Sequence, residues 1–166
     1  MVERKKSQVI LIKLKGRTIS RGRVEGEVLL SRDSISFLGS VDPKTGIVIE
    51  EKHALTGKSI KGRVLIFPHG KGSTVGSYVM YQLKKNGAAP AAIINLETEP
   101  IVAVGAIISE IPLVDMLERD PYEVLNDGDI VLVNGSEGYV ELIKKRDDKT
   151  EKMRNQTEIN TQRADE

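Results

Sequence analysis

The stretch Arg63-Val64-Leu65-Ile66-Phe67-Pro68-His69-Gly70-Lys71-Gly72-Ser73-Thr74 indicates the fold more directly than any other part of the sequence. The residues after Arg63 form an apolar run that is typical of a buried strand. A turn with two glycines, a lysine and two hydroxyl residues follows, and the apolar spacing from Val75 onward predicts a helix over 74–85. Because a helix N-terminus exposes backbone N–H groups and the positive end of the helix dipole, this junction predicts a site for a small anion.

The segments on either side of this junction predict a mixed α/β fold. Downstream, strand and helix patterns alternate and end in a hairpin: strand 91–94, helix 98–109, strand 111–114, a helical turn over 121–125, and strands 130–133 and 139–143. Upstream, the predicted strands are 8–15, 27–30 and 34–38, with a turn over 17–26 and an irregular crossing over 47–62. Strand–helix–strand repeats favour right-handed parallel pairing. We therefore expect a mixed sheet or small barrel with helices on one side.

Composition and charge argue against several classes of function. The 166 residues suit one domain that buries its own core. A formal net charge of +1 and an aromatic fraction of 4% argue against a nucleic-acid partner. No apolar run reaches the roughly 18–20 residues that span a bilayer, so we expect a cytoplasmic protein without a membrane partner. The sequence has no cysteine and only two histidines, His53 and His69, so we expect no metal site on this chain.

The composition changes abruptly at Lys144. From there to Glu166 the only large apolar residues are Met153 and Ile159, and nearly all the others are charged or polar. Such a segment cannot bury enough apolar surface to offset the entropy of ordering it. We therefore predict one folded domain over 1–143 and a charged, disordered tail over 144–166.

The glycine turn admits three other interpretations, each with a weak point. A nucleotide-binding phosphate loop needs its lysine directly before the serine, but Gly72 separates Lys71 from Ser73. A serine hydrolase could use Ser73 with a histidine and Asp42, yet the glycine expected two residues after the serine is missing. A swivelling phosphohistidine carrier would use His69, but the predicted helix begins four or five residues later, too far to support the imidazole directly.

Ser73 also has a purely structural interpretation, because serine is a preferred helix N-cap. Capping alone does not explain why two glycines, a lysine and a second hydroxyl lie within the same five residues. Glycines let a ligand approach the backbone, and the lysine can pair with an anionic group. The composition of the turn therefore favours ligand binding, with capping as the alternative.

Several stretches of the sequence, taken in their order and spacing, carry a resemblance to a known family. They are Arg17–Gly22, Glu25–Glu27, Ser34–Gly39, Val41–Gly46, Gly62–Pro68, Gly70–Ser73, Gly76–Tyr78 and Asn86–Ala92. Over residues 17–110 the chain resembles the small subunit of the aconitase X family, the equivalent of the swivelling fourth domain of aconitase. The family pattern at the glycine turn is Arg-Gly-Ser-Ser. Here Lys71 and Thr74 replace its first and last members, so bidentate anion binding by an arginine is lost.

The resemblance implies a hydro-lyase subunit that is active only with a large aconitase-like partner. It implies that Ser73 is the general base and that substrate is bound by Gly70, Lys71, Gly72 and Thr74. It also implies that the partner holds a 4Fe-4S cluster on its own cysteines, in keeping with their absence here. The implied reaction is dehydration of mevalonate 5-phosphate to anhydromevalonate 5-phosphate in archaeal isoprenoid synthesis, with a hydroxyproline as the alternative substrate.

Overall fold

The structure, a computed structural model, describes residues 11–147, which contain eight strands and four helices. The strands are β1 (Ile12–Lys15), β2 (Arg17–Ser20), β3 (Arg23–Leu30), β4 (Val64–Phe67), β5 (Ala92–Asn95), β6 (Leu113–Asp115), β7 (Ile130–Asn134) and β8 (Tyr139–Lys144). The helices are α1 (Phe37–Ser40), α2 (Gly76–Lys85), α3 (Pro100–Ile108) and α4 (Pro121–Val124). The predicted strand–helix alternation after residue 62 is confirmed, with element ends shifted by one or two residues.

The strands form one sheet in the order β1-β8-β7-β3-β4-β5-β6-β2. Strands β3, β4, β5 and β6 are parallel neighbours, whereas the flanking strands pair in antiparallel fashion. Helix α2 connects β4 to β5, and α3 connects β5 to β6. The carboxyl ends of the four parallel strands therefore lie along one edge of the sheet, and both crossover helices begin at that edge.

The sheet curls towards a barrel because its two terminal strands are joined through a single residue. Strands β1 and β2 lie at opposite ends of the order, but only Gly16 separates them in the sequence. The Gly16 N–H donates to the Gly138 carbonyl at 2.8 Å, and a Cβ at Gly16 would lie 2.5 Å from the Asp115 carbonyl oxygen. Only glycine fits this close approach. The prediction of a mixed sheet or small barrel is confirmed.

The core has two parts, one on each face of the parallel strands. Alternate residues of β4 divide between them, since Leu65 and Phe67 face one cluster and Val64 and Ile66 the other. Helices α2 and α3 cover the first face with residues such as Met80 and Leu83 from α2 and Val102 and Ala106 from α3. The second face is covered mainly by the curled strands β1, β7 and β8, with Val124 of α4 at its margin.

Two predictions upstream of the glycine turn are wrong. Residues 17–26, predicted as a turn, form β2 and the first half of β3, because they pair with the distant strands β6 and β7. Residues 34–38, predicted as a strand, make only a single parallel bridge between Ile35 and Gly70 before the broken helical turn α1. Phe37 of that turn is buried against Phe67 at a centroid separation of 6.0 Å, and this packing decides the local conformation.

The predicted C-terminal tail lies almost entirely outside the described residues. Strand β8 ends at Lys144, one residue past the predicted domain boundary. The Arg146 N–H still donates to the Asp129 carboxylate at 2.7 Å. Residues 148–166 are not described, so the disordered tail stays a prediction.

Candidate active site

The site lies where the carboxyl ends of β4, β5 and β6 meet. Beyond the strands, backbone hydrogen bonds keep the segments together: the Leu96 N–H donates to the Pro68 carbonyl, and the Met116 N–H donates to the Leu96 carbonyl, both at 3.0 Å. In sheets with parallel strands, ligands bind outside this edge. The glycine turn follows β4 at this edge.

Both glycines of the turn are required by close contacts. A Cβ at Gly70 would lie 2.5 Å from Val102 Cγ2 and 2.6 Å from Glu99 Oε1, so the turn is pressed against the start of α3. Gly72 has a φ of +98°, and a Cβ there would lie 2.6 Å from Ser36 Oγ. The first glycine allows close packing, and the second allows a left-handed backbone that other residues rarely adopt.

The backbone of the turn presents donors that the protein itself does not use. The N–H groups of Gly72, Ser73 and Thr74 donate a hydrogen bond to no residue within 11–147. They precede α2, whose first helical residue is Gly76 and whose N-cap, Val75, has no side-chain cap. Consecutive free N–H groups at a helix start bind anions well. Gly72 and Thr74 each present a free N–H group here, and substrate binding by these residues stays a prediction.

Ser73 is partly exposed and sits before the helix proper. Its Oγ accepts a hydrogen bond from the Val75 N–H at 3.1 Å, and its carbonyl accepts from the Gly76 N–H at 3.0 Å. The serine thus stabilises a local turn before the helix and does not cap α2 itself. Its hydroxyl hydrogen, however, has no acceptor in the described part of the chain, so the group is available to a ligand. The hydrogen bond that forms this turn leaves the hydroxyl hydrogen of Ser73 available.

Lys71 is held at the turn by an acidic partner from a distant loop. Its Nζ lies 3.2 Å from Glu50 Oε1, and the Ser40 hydroxyl donates to Glu50 Oε2 at 2.7 Å. The hydrogen bond from Ser40, aided by Lys71, lowers the pKa of Glu50 against the opposing effect of burial. The Lys71 N–H also donates to the Ile35 carbonyl at 3.0 Å. Residues 35–50 therefore form one wall of the site.

The two histidines do not support the phosphohistidine or hydrolase interpretations. His69 Nδ1 lies 2.9 Å from the Gly70 carbonyl, so this nitrogen carries the proton, and α2 begins only at Gly76, beyond the reach that a dipole-supported phosphoacceptor needs. His53 is buried and fully engaged, since Nε2 donates to the Ser34 carbonyl and Nδ1 accepts from the Leu55 N–H. Asp42 accepts from the Lys44 N–H within its own turn. No nucleophile–base–acid chain forms from these groups.

The next junction along the edge contains polar residues that sequence reasoning missed. Asp115 is fully buried, and its carboxylate accepts a bidentate pair of hydrogen bonds from Arg17 at 2.8 and 2.9 Å and a third from the Thr98 N–H at 2.7 Å. Burial alone would raise the pKa of Asp115, but these hydrogen bonds outweigh it and hold the pKa below its ordinary value. Arg17 and Asp115 are 98 positions apart, so no local pattern joins them.

Asn95 and Glu99 complete this second junction. Buried Asn95 donates to the Phe67 carbonyl at 2.9 Å and accepts from the Thr98 hydroxyl at 3.2 Å, which ties the end of β5 to the end of β4. Glu99 caps α3 through its carboxylate. Only Glu99 had a sequence signal, because it directly precedes Pro100 at the start of the helix. The Glu99 carboxylate thus occupies the start of this helix, unlike the start of α2.

The described residues contain no group of three or more His, Cys, Asp or Glu side chains that could hold a metal ion. The glycine turn itself presents two hydroxyl side chains, a lysine and backbone N–H groups. Together, the curled mixed sheet, the one-sided crossover helices and the open strand–glycine–helix turn define a swivel-type domain.

Comparison with known proteins identifies the family. Residues 13–142 match the aconitase X swivel domain, and the chain belongs to this family. The phosphomevalonate dehydratase small subunit of Methanosarcina acetivorans is 82% identical over 143 residues, covering 86% of this chain and 99% of that one. The protein of the same name from Archaeoglobus fulgidus is 56% identical over 128 residues, covering 77% and 96%.

Solved structures agree with this assignment. The crystal structure of Thermococcus kodakaraensis aconitase X in its holo form has a TM-score of 0.76 at 54% identity, covering 80% of this chain and 99% of that chain. A solution structure of a UPF0107 protein has a TM-score of 0.72 at 55% identity, covering 80% and 100%. The predicted family and fold class are confirmed. In addition, no described helix is long and apolar enough to cross a membrane.

Proposed function

We propose that this chain is the small subunit of a hydro-lyase that dehydrates mevalonate 5-phosphate to anhydromevalonate 5-phosphate. Support comes from relatives named phosphomevalonate dehydratase small subunit, which share 82% and 81% identity and are matched over 99–100% of their own length. The observation in the site that supports it best is the row of free N–H groups at 72–74 beside the Ser73 hydroxyl. This arrangement suits a substrate with an anionic group next to the carbon that loses a proton.

In this proposal Ser73 Oγ is the general base. Its oxygen removes a proton from the carbon beside the substrate carboxylate, the electron pair forms the new carbon–carbon double bond, and the neighbouring hydroxyl leaves. A serine hydroxyl is a very weak acid, so the oxygen needs stabilisation in its deprotonated form. The start of α2 favours negative charge at this position, and the Lys71 ammonium, paired with Glu50, belongs to the same turn. Gly70 and Gly72 allow the close backbone approach, and Thr74 contributes an N–H group.

The residues of this chain do not fit an iron–sulfur cluster. The sequence has no cysteine to supply the thiolates that such clusters need. We therefore assign the 4Fe-4S cluster to a large aconitase-like partner subunit, where it would act as a Lewis acid on the leaving hydroxyl. The word "small" in the names of the relatives supports a larger partner. A cytoplasmic location belongs to the same proposal, because the substrate is a charged soluble metabolite.

A reconstitution assay tests this function. The chain is mixed anaerobically with the large phosphomevalonate dehydratase subunit of Methanosarcina acetivorans, and product formation is followed with mevalonate 5-phosphate and, separately, with a hydroxyproline. We expect turnover of the phosphorylated substrate only when both chains are present. Turnover by this chain alone, or a preference for hydroxyproline, contradicts the proposal.

A further inference from the structure

Lys71 is the charged residue of the glycine turn, and the protein itself fixes its ammonium group. A lysine carries its charge on a long flexible stem, so on an exposed turn the charge normally has no single position. Here Lys71 Nζ lies 3.2 Å from Glu50 Oε1, although the Lys71 side chain is 47% exposed. The ammonium group therefore has a defined place that the turn alone does not give it.

The Glu50 carboxylate is in turn anchored by its own surroundings. The Ser40 hydroxyl donates to Glu50 Oε2 at 2.7 Å, so the two carboxylate oxygens bind different partners. Ser40 is buried, and its carbonyl accepts a hydrogen bond from the Glu50 N–H at 3.3 Å. The Thr56 hydroxyl donates to the Glu50 carbonyl at 2.7 Å. Glu50 is thus held through both its backbone and its side chain.

The segment that anchors Glu50 also contacts the backbone of the glycine turn. The Lys71 N–H donates to the Ile35 carbonyl at 3.0 Å. On the other side of Lys71, a Cβ at Gly72 would lie 2.6 Å from Ser36 Oγ. The same segment therefore holds the backbone of Lys71 directly and its ammonium group through Glu50.

Stability alone gives little reason for this arrangement. A partly exposed ion pair contributes little to the free energy of unfolding, and ordering a lysine side chain costs conformational entropy. The arrangement does, however, fix a positive charge on the residue that directly precedes the three free N–H groups at 72–74. A fixed charge beside free N–H groups is more useful for binding an anion than for holding the fold together.

We propose that Glu50 is a positioning residue, which fixes the Lys71 ammonium group so that it can bind an anionic group of the substrate. The inference rests on the proposed function, because it assigns a role in that reaction to a residue that acts through Lys71. An arginine at position 71 would present a rigid planar fork, whereas a lysine is a point charge that needs an external partner to have a fixed direction. Glu50 supplies that partner, and Ser40 keeps Glu50 in place.

The same contact admits the opposite role, in which Glu50 neutralises Lys71 and competes with the substrate anion. The two roles predict changes of opposite sign in KM. If Glu50 positions Lys71, removing the carboxylate charge raises KM, and if Glu50 competes, removing it lowers KM. The anchoring by Ser40 favours positioning, because a carboxylate that must give way to a substrate does not need a buried partner.

Steady-state kinetics with a nearly isosteric variant test the proposal. Glu50→Gln keeps the shape of the side chain and an oxygen that can accept from Ser40, but it removes the charge that holds Lys71. The variant is reconstituted with the large phosphomevalonate dehydratase subunit of Methanosarcina acetivorans. KM for mevalonate 5-phosphate should rise roughly three- to fivefold, the size of one partly exposed charge contact. The turnover number should change by less than about twofold, because the lost contact already exists in the bound ground state.

Three further variants make the result specific. Glu51→Gln is the matched control, because Glu51 is the neighbouring exposed carboxylate, and its KM should equal that of wild type. Glu50→Asp keeps the charge and should recover part of the loss. In a Lys71→Met background, Glu50→Gln should have no further effect on KM, because Glu50 acts through Lys71. Thermal unfolding of each variant verifies that it is folded.

The outcomes separate this inference from the proposed function. A raised KM in Glu50→Gln that is absent in the Lys71→Met background supports positioning. An unchanged or lowered KM in Glu50→Gln, or an equal rise in the Lys71→Met background, overturns the inference and leaves the proposed function standing.

If the wild-type mixture shows no turnover, the proposed function fails, and a titration of the chain alone with inorganic phosphate decides the inference. The amide NMR signals of residues 72–74 should then need about three- to fivefold more phosphate in Glu50→Gln than in wild type. An equal phosphate requirement, or no response in the wild-type chain, overturns the inference as well.

Discussion

Two strand–helix junctions of the same sheet, β4–α2 and β5–α3, have the same topology and opposite chemistry. At β5–α3 the Glu99 carboxylate accepts hydrogen bonds from the N–H groups of Val102 at 2.7 Å and Ile101 at 3.1 Å, and Pro100 has no N–H to offer. At β4–α2 no side chain caps the helix, and three consecutive N–H groups before it are unused by the described residues. At β5–α3 a carboxylate of the protein itself fills the helix N-terminus. At β4–α2 the N–H groups remain available to an external anion.

The difference shows that topology places a helix N-terminus at the edge, whereas the residues of the turn decide whether it can bind a ligand. The Glu99 side chain fills the N-terminus of α3, whereas no side chain fills that of α2. The two junctions also touch, since Gly70 of the open turn packs against Glu99 and Val102 of the closed one. The closed junction therefore supports the open one, and variants at each should have different effects.

The largest expected effect comes from removing the hydroxyl at the open junction. Ser73→Ala should lower the turnover of the reconstituted enzyme by about 10²–10⁴-fold, the usual contribution of a general acid–base group. Unfolding should change little, because only one exposed hydrogen bond at a turn is lost. Steady-state kinetics with mevalonate 5-phosphate provide the measurement.

Ser59→Ala is the control for this prediction, since Ser59 is an exposed serine on an irregular segment away from the edge. It should leave turnover unchanged. Near-normal turnover by Ser73→Ala would show that Ser73 is not the general base and that its hydroxyl only stabilises the local turn.

The second largest expected effect comes from crowding the contact between the two junctions. Gly70→Ala adds a methyl group that would lie 2.5 Å from Val102 Cγ2 and 2.6 Å from Glu99 Oε1. We expect it to destabilise the fold by about 1–3 kcal/mol, the usual cost of overpacking. Gly76→Ala is the matched control, because its Cβ would meet Ile101 Cγ2 at an ordinary 3.5 Å and alanine favours a helix. Denaturant unfolding should place the two variants on opposite sides of wild type or leave Gly76→Ala neutral.

The third largest expected effect comes from removing the side chain that caps α3. Glu99→Ala removes the cap of α3 and should cost about 1 kcal/mol of unfolding free energy, as loss of an N-cap commonly does. Turnover should fall far less than in Ser73→Ala, because the open junction keeps its free N–H groups. Chemical denaturation and kinetics on the same preparation check both parts. A stability equal to that of wild type would mean that water replaces the carboxylate without loss.

The smallest expected effect is a change in stability with pH, which appears only in acid. Because the folded pKa of Asp115 is held below its ordinary value of about 3.9, its contribution to stability is complete above that value. It is lost as the pH falls through the lowered folded pKa. The difference in unfolding free energy between wild type and Asp115→Asn should therefore be constant near neutral pH and narrow below about pH 4. A difference that stays constant down to pH 2 would show that Asp115 does not titrate with folding.

Local patterns predicted the β4–α2 junction well and the β5–α3 network poorly. The run Val64–Phe67, the glycines and the end of α2 at Asn86-Gly87 each carry their own short-range signal; Gly87 adopts the expected left-handed conformation, with a φ of +68°. The Arg17–Asp115 pair and the Lys71–Glu50 pair join residues 98 and 21 positions apart, and nothing in the sequence near either residue indicates its partner. The error at residues 34–38 has the same origin: the buried contact of Phe37 with the distant Phe67 outweighs the local preference for a strand.

The amino-acid sequence was sufficient to define the strand–turn–helix junction, the absence of thiolate ligands and the family, because these depend on residue identity and short spacing. The three-dimensional structure was needed to find that Glu99 fills one helix N-terminus while the other stays open. It was also needed to find that Gly70 of the open turn packs against Glu99 and Val102 of the closed junction. Both properties arise when parallel strands align their carboxyl ends, and that alignment depends on pairings between residues far apart in the chain. The glycine turn could be recognised from its residue types, but its N–H groups are brought together in one row only in the folded chain.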